Sequence, residues 1–307
     1  MANQIPLRES PLSAGGYLLP VEQGDILTNG ILVEAGAIAL AGDKRATSAT
    51  KTQFTIWLGT PTAGFVGEGA AKPVTGAEFG QTSMTVKKVA SIVLFTDEMI
   101  EDVQSGDLNV LVDSGVRTAI NDVIDAHAIG LDSGVAITSA FDSTLNATTQ
   151  VVEMDQSKPD GLQLAVSAAM GKLETNGYPS NLGVLTGTGW AQVIRDARST
   201  LDTSQPVYGA GRDPLYGLPS FLSTNLSSAA TAPGATNVVG FVAHRPNLHV
   251  RIRKDVSVAT STEATINDGT ADRKLFQEDL TAVRYETRLA FMIHDLNRAV
   301  VKIVNAA

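Results

Sequence analysis

At 307 residues, with 43% apolar and 18% charged side chains, the chain can bury a real core as one elaborate domain or two intertwined lobes, and it is not a disordered polymer. A formal charge of −9 argues against a protein that coats nucleic acid, because backbone binding runs on clustered Lys and Arg, and zero cysteines exclude disulfides and thiolate chemistry. The apolar stretch 31–41 is interrupted by Glu34 and is far shorter than the roughly 20 residues a membrane span needs, and residues 1–8 lack the basic-then-apolar pattern of a secretory signal.

The first thirty residues carry Pro6, Pro11, Gly15, Gly16, Pro20 and Gly24, a density of breakers that predicts an extended arm, either disordered or laid across another surface. A strand follows over 53–58. Between residues 59 and 80 six glycines with Pro61 and Pro73 interrupt the strand pattern, which resumes with β-branched residues over 82–95. Two strand-like runs around a glycine-rich tip predict a long projecting hairpin, whose exposed edges call for a partner.

The strongest helical periodicity runs over 108–129, with Leu108, Leu111, Val112, Val116, Ile120, Val123, Ile124 and His127 on one side and Asn109, Asp113, Arg117, Asn121, Asp122 and Asp125 on the others. Asp107 is the expected N-cap and Gly130 the C-terminal stop. A second helix is expected over 160–176, ended by the Asn176-Gly177 turn, then a short buried strand over 182–185 and a third helix marked by Trp190, Val193, Ile194 and Ala197. Strands are expected over 238–242, 248–252, 256–266, 280–293 and 299–304. Strands and helices are segregated, which places the chain in the α+β class.

Residues that could carry chemistry are few. His244 and His249 lack a metal-binding spacing and have no acidic ligand motif, and His127, on the apolar side of the long helix, reads as a hydrogen-bonded core residue, so ordinary structural roles are expected. No G-x-S-x-G elbow occurs, and Gly187-Thr188-Gly189 lacks the third glycine of a dinucleotide site and reads as a tight strand-to-helix turn. Asp97, Glu98, Glu101 and Asp102 form a dense acidic group that reads as a solvated helix face near its N-terminus. No catalytic, cofactor-binding or metal-binding residue is assigned.

The order of four segments resembles the tailed-bacteriophage major capsid proteins of the Hong Kong 97 fold. Residues 63–73 (AGFVGEGAAKP), with Phe79 and the strand through Val93, resemble the family's E-loop. Residues 95–131 resemble its short helix and long spine helix. Residues 184–186 with Trp190, then Leu215-Tyr216-Gly217-Leu218-Pro219, are similar to the axial (A) domain's strand, helix and G-x-P turn, and 283–290 with 299–303 resemble the final peripheral (P) domain strand and its return.

The resemblance implies an N-terminal arm over 1–42, a P-domain strand region over 43–58, an E-loop over 59–94, a P domain with spine helix over 95–155, an A domain over 156–253, P-domain strands over 254–292 and an A-domain return strand over 293–307. It implies a non-enzymatic subunit that assembles with copies of itself, as pentamers and hexamers, into the icosahedral head enclosing phage DNA. The implied partners are a separate scaffolding protein, a portal, decoration proteins where the head carries them, and packaged double-stranded DNA bound without sequence preference, with no cofactor and no membrane. Assembly would take place in the host cytoplasm and the mature protein would reside in the virion. Many members begin with a fused scaffolding segment, so here either the scaffold is a separate protein or that segment is missing from this chain. The alternative is the shell protein of an encapsulin-type nanocompartment.

Implied inter-subunit contacts are Phe65, Glu68, Lys72 and Pro73 of the E-loop, and the implied spine-helix core is Leu111, Val116, Ile120 and Ile124. Some members join an E-loop lysine to a P-domain asparagine with the help of a glutamate. Lys72 and Glu286 stand at the lysine and glutamate positions, but Asp279 stands at the asparagine. An ionised aspartate repels nucleophilic attack, so an ion pair between Lys72 and Asp279 is expected in place of a crosslink, the crosslink requiring Asp279 to be held protonated, for example by sharing a proton with Glu286.

Overall fold

The structure, a computed structural model, describes residues 35–58, 62–74, 76, 78–102, 105–155, 158, 161–187, 215–226, 237–267, 269 and 271–306. The expected arm up to residue 34, the third helix around Trp190 and the turn beyond Gly187 lie outside the described residues. In chain order the elements begin with helix α1 (Gly36–Leu40), strand β1 (Asp43–Ala46), the antiparallel pair β2 (Lys51–Leu58) and β3 (Glu78–Thr85), and strand β4 (Lys87–Thr96). Helix α2 (Asp97–Asp102) and the 25-residue helix α3 (Ser105–Ile129) follow, then the small hairpin β5 (Leu131–Asp132) and β6 (Val135–Ala136). After β7 (Val151–Met154) come α4 (Gly161–Thr175), β8 (Leu182–Gly187), β9 (Ser220–Ser223) and β10 (Val238–His244). The long strand β11 (Leu248–Ser261), the pair β12 (Thr265–Asn267) and β13 (Asp272–Lys274), the 14-residue strand β14 (Leu280–Ile293), helix α5 (Leu296–Ala299) and β15 (Val300–Asn305) complete the chain.

Two sheets organise these elements into a mixed α+β fold with few helices and many strands. A four-stranded sheet has the order β1-β11-β14-β4 and a five-stranded sheet the order β7-β15-β10-β8-β9. Helix α3 lays Val116, Ile120 and Ile124 on the first sheet, where Val283, Tyr285, Leu289 and Phe291 of β14 and Val250 of β11 meet them in the main core. The five-stranded sheet is covered on both faces. Leu185, Phe241 and Val300 point into the main core, while Val184, Val242, Val301 and Ile303 point to α4, whose Leu162, Ala165, Val166, Ala169 and Leu173 line its inner side. Two-sided burial explains why β8 and β10 read as unbroken apolar runs and not as alternating ones.

Several boundaries move for identifiable reasons. Asp107 lies inside the first turn of α3 and not before it. Gly130 does end α3: its φ of +87° is a left-handed conformation, and its N–H donates to Ala126 O at 2.7 Å. Helix α4 closes the same way, with Tyr178 N donating to Leu173 O and Gly177 N to Glu174 O. The sequence suggested two strands across Arg253 and Lys254, whereas β11 is one strand that absorbs this charged stretch in register shifts between Ile252 and Ser257. The run 82–95 divides at Val86, so that β3 pairs with β2 while β4 joins the four-stranded sheet.

Residues 35–42, grouped from sequence with the arm, correct that boundary. Ala35, Ala37, Ile38, Leu40 and Ala41 are buried in the main core. A five-residue helix without Ser, Thr, Asp or Asn before it gives almost no sequence signal.

Candidate functional site

The hairpin β2–β3 is fastened to the body at its root and open at its tip. Met84 is fully buried against Ala290 and Met292 of β14, with Phe54 and Val86 packed beside it. The Phe54 ring stacks on His249 with centroids 5.2 Å apart and receives the Arg251 guanidinium 5.5 Å from its centre. His249 Nδ1 and Arg251 Nη2 both donate to Asp43 Oδ2, at 2.6 and 2.7 Å. Burial pushes the Asp43 carboxyl up, but the hydrogen bonds from Arg251 and His249 and their charge outweigh it and hold the group down at about 2. His249 thus has a structural role between β1, β11 and the hairpin root. Thr85 N also donates to Asp142 Oδ2 at 2.6 Å.

Toward the tip the described side chains 62–74 are exposed. Phe65 is fully exposed, Val74 almost so, and Glu68, Lys72 and Pro73 are all exposed. Phenylalanine and valine left in water at the end of a narrow two-stranded ribbon form an apolar surface that the subunit does not cover.

The long helix behaves as a brace but carries more than an apolar stripe. Val116, Ile120 and Ile124 are buried, while the side chain of Leu111 lies outside the described residues. Val123, expected on the apolar side, is 45% exposed, and Asn121 and Asp125, expected on polar faces, are buried. Asp125 Oδ1 accepts from Ala37 N at 2.6 Å, and Oδ2 accepts a short hydrogen bond from the Ser223 hydroxyl. Ala35 has no side chain able to cap α1, so a carboxylate 88 residues away in sequence does it. At the other end of α1, Arg245 Nε donates to Leu40 O at 3.0 Å and Lys44 Nζ to Ala39 O at 3.5 Å. Burial pushes the Asp125 carboxyl up, partly offset by these hydrogen bonds, and lowers Lys44, with Arg245 adding repulsion. Sequence reasoning missed this seam. Its only trace is the spacing of Asn121 and Asp125, four apart and one step beside Ile120 and Ile124.

The three residues linked by the crosslink comparison do not meet within one chain. Asp279 is exposed at the turn into β14, with φ +49° and its carbonyl accepting from Asp97 N at 2.9 Å. Glu286 is seven residues further along one continuous strand, roughly 24 Å away at about 3.4 Å per residue. The proton sharing considered between Asp279 and Glu286 is therefore not possible inside a subunit. Glu286 is instead held by Arg288, whose Nη2 lies 2.8 Å from Oε1, and by Lys88 at 3.8 Å, and the Arg288 hydrogen bond leads the effects that keep its carboxyl below the usual range.

His127, His244 and the start of α2 have structural partners. His127 Nδ1 accepts from Ala140 N at 3.1 Å, and His244 stacks on Tyr178 with centroids 4.6 Å apart, burial lowering its pKa. Thr96 caps α2 by accepting from Met99 N at 3.2 Å, and Asp97 accepts from Thr281 Oγ1 at 2.6 Å, which puts Asp97 and Glu98 in the first turn of a capped helix. No helix among the described residues is long and apolar enough to cross a membrane.

An open hairpin tip on a braced two-sheet body is a construction element in search of neighbours, and comparison with known proteins agrees. A model of the phage capsid family matches residues 15–304. The chain belongs to the phage capsid family. Its function is that of a major capsid protein of phages, a structural virion component as read from sequence, and the nanocompartment alternative is not favoured. The probable major capsid protein gp17 of Mycobacterium phage D29 is 22% identical over 91% of this chain and 87% of its own length. Its counterpart from Mycobacterium phage L5 is 26% identical over 94% and 90%. Among solved structures, one from Mycobacterium phage Adephagia superposes with a TM-score of 0.70 at 17% identity, covering 89% of this chain and 90% of that one. The capsid of an empty GTA particle gives 0.63 at 13% identity, covering 89% and 90%.

Proposed function

We propose that the chain builds the icosahedral head of a tailed phage as pentamers and hexamers, in the Hong Kong 97 arrangement. Hairpin β2–β3 is its E-loop, α3 with the four-stranded sheet its P domain, and the five-stranded sheet with α4 its A domain. The observation that carries this reading is the hairpin. Its root is packed and charge-anchored, while its tip leaves Phe65, Val66 and Val74 in water, a surface that becomes stable only when a neighbour covers it. Phe65, Glu68, Lys72 and Pro73 are then inter-subunit contacts, and the subunit acts by geometry and not by catalysis.

Lys72 forms an ion pair with Asp279 of a neighbouring subunit, worth about 0–1 kcal/mol where exposed. A scaffold guides closure in the host cytoplasm, a portal occupies one vertex, decoration proteins bind outside where the head carries them, and the DNA inside is enclosed without sequence preference. Electron microscopy and sedimentation of the purified protein, alone and with a scaffold, test the reading. Closed shells or isolated capsomers are the expected result. A compact 32 kDa monomer under all scaffold and salt conditions refutes it.

A further inference from the structure

The open face of the four-stranded sheet holds a row of cations that its one carboxylate offsets only in part. Lys88 of β4 stands opposite Arg288 of β14, and Arg288 stands opposite Lys254 of β11. Three cations thus lie in one row over about 10 Å, at about 4.8 Å per strand. Like charges directly opposite one another destabilise a sheet. Glu286, buried two residues along the same face, offsets part of the row through Arg288 and Lys88. One carboxylate leaves the face positive. Two residues beyond Glu286, Arg284 is exposed and has no hydrogen-bond or ion-pair partner among the described residues, and opposite it Ile92 is 48% exposed.

We propose that this basic sheet face is an inter-subunit seat for a second copy of the chain, which meets it with the acidic helix α2. The argument rests on the shell reading above, and charge complementarity selects the occupant. The face holds four cations and one carboxylate in a chain whose formal charge is −9, so the acidic excess lies on its other surfaces. Helix α2 gathers Asp97, Glu98, Glu101 and Asp102 in six residues. It presents an exposed Glu98 beside Met99, itself 44% exposed: a carboxylate for Arg284 and the cation row, and an apolar side chain for Ile92. Nucleic acid fits less well, because Glu286 would face phosphate and Ile92 offers a phosphate backbone nothing to bind. Charges paired across such a contact fix partner and register.

The chain has no cysteine, so single cysteines report on the contact directly. Chains carrying Arg284→Cys and chains carrying Glu98→Cys, co-assembled into particles and treated with a short bismaleimide, are expected to give a dimer band on a denaturing gel that neither variant gives alone. Absence of that band from intact particles overturns the seat. In parallel, Arg284→Glu is expected to lower particle yield by about tenfold and the double variant Arg284→Glu/Glu98→Arg to restore most of it. Normal yield from Arg284→Glu refutes the proposal, and normal yield with less nucleic acid in the particles assigns the face to nucleic acid instead. Wild-type chains that form no particle overturn the shell reading and the seat together, whereas wild-type particles without the crosslink overturn the seat alone.

Discussion

Replacing Asp125 tests the seam at which the first described helix joins the body. Its carboxylate accepts from Ala37 N and from Ser223 Oγ in a buried site. Asp125→Ala leaves two buried donors without acceptors, at about 1–3 kcal/mol each, so a loss of about 2–6 kcal/mol is expected by urea unfolding of unassembled subunits. Asp125→Asn keeps an oxygen for Ala37 N and removes the charge. Burial holds the folded-state pKa of Asp125 above its ordinary value of 3.8, so its favourable contribution is complete below that value and is lost as pH rises through the folded-state pKa. The Asn variant should therefore lose less than the Ala variant and show a flatter fall of stability with rising pH. An Ala variant as stable as wild type from pH 4 to pH 8 would refute the reasoning.

Ile120→Ala and Ile124→Ala, each emptying a fully buried site between α3 and the four-stranded sheet, should cost about 2–5 kcal/mol, and unchanged melting would contradict that placement. Asp43 has its folded pKa held at about 2, so its stabilising share is present above the ordinary 3.8 and disappears as pH falls toward 2; Asp43→Asn should remove that part of the acid-unfolding slope, read by circular dichroism. Deleting residues 67–76 should leave a folded subunit, since the tip contributes to no core, yet abolish or weaken shells; stable particles from the deletion would show the tip to be dispensable. Mature particles boiled in detergent should run as one band near 32 kDa, and a ladder abolished by Lys72→Ala would reveal a crosslink.

The local pattern alone determined the elements whose stability is local or whose faces are uniformly apolar. Helix α3 announced itself by periodicity, β14 by an unbroken run of strand-forming residues with the bounds found in the fold, and the hairpin by two strand patterns around glycines. Gly130 was legible because only a residue without a Cβ takes its positive φ cheaply.

What only the tertiary structure decided depends on partners distant in sequence. Helix α1 exists because Asp125 caps it and Arg245 holds its last carbonyl, two residues that no window around 36–40 contains, while Lys44 reaches Ala39 O from close by in sequence. Asp43 could not be read as an anchor until β1 lay parallel to β11 and brought His249 and Arg251 to it. The cation row exists only in the register of β4, β14 and β11, since Lys88, Lys254 and Arg288 are scattered along the chain and become neighbours through hydrogen bonds between strands. Periodicity reports which face of an element is apolar, whereas the identity of the group opposite a polar side chain is fixed by topology and register.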